Sequence, residues 1–181
     1  MTAKIEVRRA RLSDAEAIAA FVNAASKGAG RSGAAGRSTG ADLAEVTRLS
    51  VAERFSQVGF MVAERRGNVV GLLGWQVENL VVRVTDYLVS TISGADTMVV
   101  SRALIEKMEE EAAELQAESV LLFLPADPSP GLVAFWEQFG YEAQCVDELD
   151  KACREAVNEW GLDTASVMIK RLRDDRVGRP M

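Results

Sequence analysis

Three strand-like runs stand back to back between residues 60 and 90, and they constrain the fold more than anything else in this chain. "FMVAER", "VVGLLGWQV" and "VVRVTDYLVS" are rich in β-branched and aromatic residues, and only "RGN" and "EN" separate them. Links that short close hairpins, so the runs are expected to form an antiparallel meander. A long helix, from about Thr97 to Gln116, comes next. It sets Leu104, Met108, Ala112 and Leu115 on one stripe and turns Glu106, Glu109, Glu110, Glu111 and Glu114 to solvent. "SVLLFL" then has the unbroken apolar character of a buried central strand, expected to run parallel to the strand ending near Ser90.

The flanking segments extend this pattern. Ile5 to Arg9 is a short strand, and "SDAEAIAAFVNAAS" opens a helix. Ser13 and Glu16 fit a capping box there, and Ile18, Phe21, Val22 and Ala25 share one face. Residues 27–40, "KGAGRSGAAGRSTG", lack periodicity and read as a mobile loop. A second helix is expected over about Asp42 to Gln57, with Leu43, Val46 and Phe55 inward. Beyond the central strand, "PADPSPG" is a rigid connection and "LVAFWEQFG" a short helix stopped by Gly140. "YEAQCV" is a strand, and "DELDKACREAVNEWG" a helix whose Leu149, Ala152, Cys153, Ala156, Val157 and Trp160 form an inner face. "ASVMIKRL" is the last strand. Strands and helices interleave without a repeat, so the class is α/β (α+β), with residues 1–181 as one domain.

Composition narrows function mainly by exclusion. Apolar residues make up 48% and charged residues 27%, as in an ordinary soluble protein. A net charge of −6 disfavours nucleic acid or an anionic membrane as partner. No apolar run reaches spanning length, and "MTAKIEVRRARL" has no signal-peptide core, so the expected compartment is the cytoplasm. Cys145 and Cys153 form no CxxC pair and read as reduced packing residues. The chain has no histidine. That removes Ser-His-Asp and Cys-His nucleophiles, imidazole zinc sites and histidine bases, and no metal is expected. Proton transfer falls to a carboxylate, Tyr, Cys, Lys or water.

The element order resembles the GNAT superfamily of N-acetyltransferases over nearly the whole chain. "VRRARLSDAEAIAAFVNAA" is similar to that family's first strand and helix, and "MVAERRGNVVGLLGW" to its second and third strands. "SRALIEKMEEEA" is similar to its cofactor helix, "VLLFL" to its fifth strand, "AFWEQFGYEA" to its fourth helix and sixth strand, and "SVMIKRL" to its closing strand. The resemblance implies a GNAT-like acyl-CoA N-acyltransferase fold with a mixed, twisted sheet flanked by helices. It also implies acetyl-CoA lying between the fourth and fifth strands, with its pyrophosphate on amides at the start of the following helix. By that correspondence Val89 and Thr91 supply backbone to the pantetheine, and Thr97, Met98, Val99, Val100, Ser101 and Arg102 surround the pyrophosphate.

The sequence departs from the family pattern in three places. The family's loop reads Arg/Gln-x-x-Gly-x-Gly/Ala, and here Asp96, Val99 and Ser101 take its three defining positions. Asp96 is equally readable as a helix N-cap that satisfies the same amides. Trp136 stands where many members carry a tyrosine that protonates the departing thiolate; the chain's tyrosines are Tyr87 and Tyr141. A helix at about 147–160 is inserted before the last strand, readable as a cover for the sheet edge, a pocket wall or a subunit contact. The first is preferred, with a homodimer as the alternative.

Asp86 shares a strand face with Val82, Val84 and Leu88, which makes it the candidate base; the other reading pairs it with an arginine such as Arg83 or Arg171. Arg31 and Arg37 in the 27–40 loop fall where the family recognises its acceptor. Three functions are compatible with these residues. One is an N-acetyltransferase moving an acetyl group from acetyl-CoA to a small or peptidyl amine. Another is a GNAT-fold ligand-sensing or partner-binding protein without catalysis, and the third a GNAT-like enzyme using another acyl donor or none of the CoA chemistry.

Overall fold

The computed structural model describes residues 4–28, 45–90, 94–125, 127–160 and 166–173. The seven strands are β1 (Ile5–Arg9), β2 (Gly59–Arg65), β3 (Asn68–Glu78), β4 (Val81–Val89), β5 (Ser119–Phe123), β6 (Glu142–Cys145) and β7 (Ser166–Arg171). The helices are α1 (Ala15–Gly28), α2 (Arg48–Arg54), α3 (Gly94–Glu114), α4 (Pro130–Glu137) and α5 (Lys151–Glu159). The strands hydrogen-bond in the order β1-β2-β3-β4-β5-β7-β6. By contact the chain falls into two compact units, Met1–Gln76 with Thr85–Met108, and Val77–Val84 with Glu109–Met181.

In the first unit β2 pairs antiparallel with both β1 and β3. The β2–β3 link turns through Arg66 and Gly67, both at positive φ, as a two-residue hairpin requires. One face of these strands offers Phe60, Val62 and Leu72 to Ile18, Phe21 and Val51 of α1 and α2. On α3, Val100 and Leu104 close so tightly over Gly71 that a Cβ there would stand 2.8 Å from each. Alternation along β3 explains how the sheet is covered twice, since residues one step apart face opposite ways.

Two local expectations fail here for the same reason: a nearby polar side chain captured the backbone first. The turn before α1 is organised by Asp14, which accepts from Arg11 N at 2.7 Å and from Arg8, and not by a Ser13–Glu16 box. The second helix begins only at Arg48, because Thr47 caps it by accepting from Ser50 N at 3.1 Å. Val46 and Phe55 pack inward as expected, while Leu43 lies outside the described residues.

In the second unit β4 and β5 run parallel, pairing Val81–Arg83 with Ser119–Leu121. β7 lies antiparallel to both β5 and β6. β5 is therefore interior, and its five residues are all buried. The segment between β6 and β7 folds as a 3-10 turn, Val146–Glu148, followed by α5, which Asp150 caps by accepting from Cys153 N at 3.0 Å. Leu149, Cys153, Ala156 and Val157 pack on Leu121, Phe123, Val167 and Ile169. The helix thus covers a face of β5 and β7 and not an edge strand, the edges being β1 and β6. Its small residues at 153 and 156 permit that close approach.

Further differences concern single side chains. Leu115 is 52% exposed, because α3 ends at Glu114. Glu109 is no solvated charge: it accepts from buried Tyr141 at 3.0 Å and pairs with Lys170 at 2.7 Å. Cys153 is buried, its thiol pushed up to about 11 by burial, but Cys145 is exposed on the edge strand and packs against little.

The β3–β4 turn runs through Asn79 and Leu80, with φ of 49° and 65°. Asparagine tolerates that region; leucine does so at a cost. Leu80 is also partly exposed, so little packing offsets the strain. Leu80→Gly is expected to stabilise the fold by about 0.5–1 kcal/mol, read as a higher denaturant midpoint with unchanged slope.

Candidate active site

Asp86 is the best-defined ionisable group on β4. It does pair with an arginine, but with Arg54 of α2 and not Arg83 or Arg171. Arg54 Nη1 donates to Oδ1 at 3.1 Å, Nη2 donates to Oδ2, and Thr85 Oγ1 donates to Oδ2 at 2.8 Å. The guanidinium also lies over the Phe60 ring, 5.2 Å from its centroid. Opposite stands Gly74, where a Cβ would be 2.6 Å from Asp86 Oδ2 and 2.7 Å from Thr85 Oγ1. Bare backbone at Gly74 is what makes room for the carboxylate. Sequence reasoning found Asp86 and missed Arg54, Thr85 and Gly74. The signal was the isolated glycine within a strand pattern, a mark of close approach.

Arg83 is engaged elsewhere, its guanidinium 5.1 Å from the Phe123 centroid and 5.6 Å from that of Trp160. Arg171 pairs with Asp150 at 3.0 Å.

The residues expected around the pyrophosphate, 97–102, lie on the first turns of α3. Asp96 sits inside the first turn, two residues after the helix opens at Gly94, and not ahead of it as an N-cap. Its carboxylate pairs with Arg65 Nη1 at 3.3 Å, which offsets the charge that Asp96 brings to the helix start. Val99 is 56% exposed, so its branched side chain stands out toward solvent. Val100 is buried in the core of this unit. Ser101 is also fully buried; its hydroxyl donates to Thr97 O at 2.7 Å and accepts from Tyr87. Arg102 is exposed and lies 3.7 Å from Glu106. Met98, Val99, Arg102, Ala103 and Glu106 line a shallow, mostly apolar groove along α3. Val89 ends β4, and Thr91 lies outside the described residues, as do Arg31 and Arg37.

Both tyrosine hydroxyls donate inside the protein, Tyr87 to Ser101 and Tyr141 to Glu109. Burial pushes Tyr87 up to about 12, with the Ser101 hydrogen bond pulling the other way. Tyr141 is raised well above its ordinary value by burial and by Glu109. Trp136 is fully buried among Phe135, Phe139 and Tyr141. Among the described residues no group of three or more Cys, Asp or Glu is placed to hold a metal, and no helix is long and apolar enough to cross a membrane.

No protein-family model matches the sequence, and no curated protein matches it. Solved structures do match the fold. A GNAT-family acetyltransferase from Staphylococcus aureus Mu50 superposes with a TM-score of 0.64 at 14% identity, over 94% of this chain and 100% of that one. The chain has the GNAT fold. PaiA N-acetyltransferase from Thermoplasma acidophilum, solved with coenzyme A, gives 0.61 at 12% identity, over 93% and 99% of the two chains. YncA from Salmonella typhimurium, a putative acetyltransferase solved with acetyl-CoA, gives 0.61 at 13% identity, over 94% and 95%. The helix at Lys151–Glu159 lies between the last two strands, and the Arg54–Asp86 pair ties the second helix to the fourth strand.

Proposed function

We propose that the chain is an N-acetyltransferase that takes acetyl-CoA as donor and an amine as acceptor. The observation that carries this reading is the fold itself, shared with structures solved with coenzyme A and acetyl-CoA and built around the parallel pairing of Val81–Arg83 with Ser119–Leu121. Acetyl-CoA would supply an activated carbonyl: the acceptor nitrogen forms the N–C bond, the C–S bond breaks, and one proton leaves nitrogen while sulfur gains one.

The donor set suits a diphosphate. Arg65 reaches the first turn of α3, Arg102 is exposed one turn on, and the helix start adds its dipole. Backbone at Val89 and Thr91 would take the pantetheine, and residues 97–102 the pyrophosphate, through main chain rather than the buried Ser101 hydroxyl. Asp86 would receive the hydrogen bond of the acceptor nitrogen and its proton. With both tyrosines engaged elsewhere, the sulfur draws its proton from water.

Titration of the purified protein with acetyl-CoA tests the reading; absence of binding at millimolar concentration would sink it. Asp96→Gln releases Arg65 and removes one negative charge from the helix start. It is expected to tighten CoA binding about fivefold, roughly 1 kcal/mol for one partly screened charge. Unchanged or weaker binding would mean that the phosphates lie elsewhere.

One observation favours a second reading. The buried Trp136 leaves α4 without the acid many members use. A protein that binds CoA but shows no turnover with any amine would be a ligand sensor on the same fold.

A further inference from the structure

The Arg54–Asp86 pair carries information about the acceptor. Arg54 has five N–H donors, and Asp86 takes two of them. Its side chain is 42% exposed, against 18% for Asp86, so Arg54 is the more open of the two to a ligand. The Phe60 ring lies 5.2 Å from the guanidinium carbon and packs against it. Asp86 in turn has three of its roughly four acceptor positions filled, two by Arg54 and one by Thr85. One is left, on a carboxylate given space by the missing side chain at Gly74.

We infer that this pair recognises the two charged ends of a free α-amino acid, the ammonium on Asp86 and the carboxylate on Arg54. The two protein charges touch, so a ligand answering both must hold its own opposite charges close together, and in an α-amino acid the two groups share one carbon. A simple amine is the wrong complement. Its cation would approach Asp86 only by coming up against Arg54, a like charge held in place. A peptide amino terminus lacks the adjacent carboxylate and meets the same repulsion. The inference rests on the acetyl-transfer reading for the chemistry after binding, but the recognition step stands on Arg54, Asp86, Thr85, Phe60 and Gly74 alone.

The test compares amino acids with their decarboxylated amines by calorimetry on the full chain, with and without CoA: L-tyrosine against tyramine, L-tryptophan against tryptamine, L-arginine against agmatine, L-lysine against cadaverine. At least one amino acid is expected to bind about tenfold or more tighter than its amine, as loss of a charge-assisted bidentate contact implies. Arg54→Met is expected to erase that preference and Arg54→Lys to restore part of it. Should Arg54→Met fail to fold, the wild-type comparison decides alone. Amines that bind as well as amino acids, or a panel in which no amino acid binds, would overturn the inference. A protein that binds amino acids but not CoA would refute acetyl transfer and leave this recognition intact.

Discussion

Trp136→Ala is expected to lower stability by about 3–5 kcal/mol, the range for truncating a fully buried aromatic. The indole is fully buried and makes edge-on contacts with Phe135, Phe139 and Tyr141 at centroid distances of 5.4, 6.4 and 5.3 Å. Alanine removes all three contacts at once, and a helix as short as α4 has little else to anchor it. Tyr141 also holds Glu109, which holds Lys170, so the cavity would loosen an ionic network along with the packing. Denaturant titration reads the loss. A cost below about 1 kcal/mol would mean that the cluster collapses onto the gap and that this helix is not pinned by its tryptophan.

The second large effect is expected at Gly74. Valine there would drive its Cβ into Asp86 Oδ2 and Thr85 Oγ1, at 2.6 and 2.7 Å, with Phe60 at 3.1 Å on a third side. Asp86 has no easy retreat, since Arg54 holds it by both oxygens. The substitution should cost about 2–3 kcal/mol through overpacking and the broken ion pair. Gly71→Ala makes a useful comparison. Its new methyl meets Leu104 Cδ1 and Val100 Cγ1 at 2.8 Å and Ala63 Cβ at 3.3 Å, apolar atoms of which the Leu104 end can give, so a smaller cost of about 1–2 kcal/mol is expected. Equal costs at the two positions would mean that Asp86 moves as readily as an aliphatic side chain, and that Arg54 does not hold it.

What was legible in the sequence was whatever depends on neighbours along the chain. "RGN" marks the turn at Arg66 and Gly67, and "SVLLFL" becomes an interior strand buried at every position. Gly140 takes its positive φ of 83° after α4 as its position promised. The parallel course of β4 and β5 also came from a meander, a crossover helix and an apolar strand in that order. What was not legible depends on partners far away. Arg54 and Asp86 are separated by 32 residues, and nothing in either neighbourhood selects the other. Glu109 looked like one of several solvated glutamates, until Tyr141 and Lys170 arrived from other elements. Asp96 looked like a cap because the helix was expected to start after it; Gly94 begins the helix earlier and leaves Asp96 to Arg65. Local propensity places elements, while long-range packing chooses which charge meets which.

The two compact units divide the chain's three tryptophans unevenly. Trp75 belongs to the first unit, buried at 3% exposure with Arg9 5.9 Å from its ring; Trp136 and Trp160 belong to the second. Each unit therefore carries its own intrinsic fluorophore. A chain keeping only Trp75, with phenylalanine at 136 and 160, emits from the first unit alone, and the converse variant emits from the second. Because β3 and β4 each run through both units, denaturation curves of the two variants, laid over one another, show whether those shared strands make the chain melt as one body or let its units go in turn.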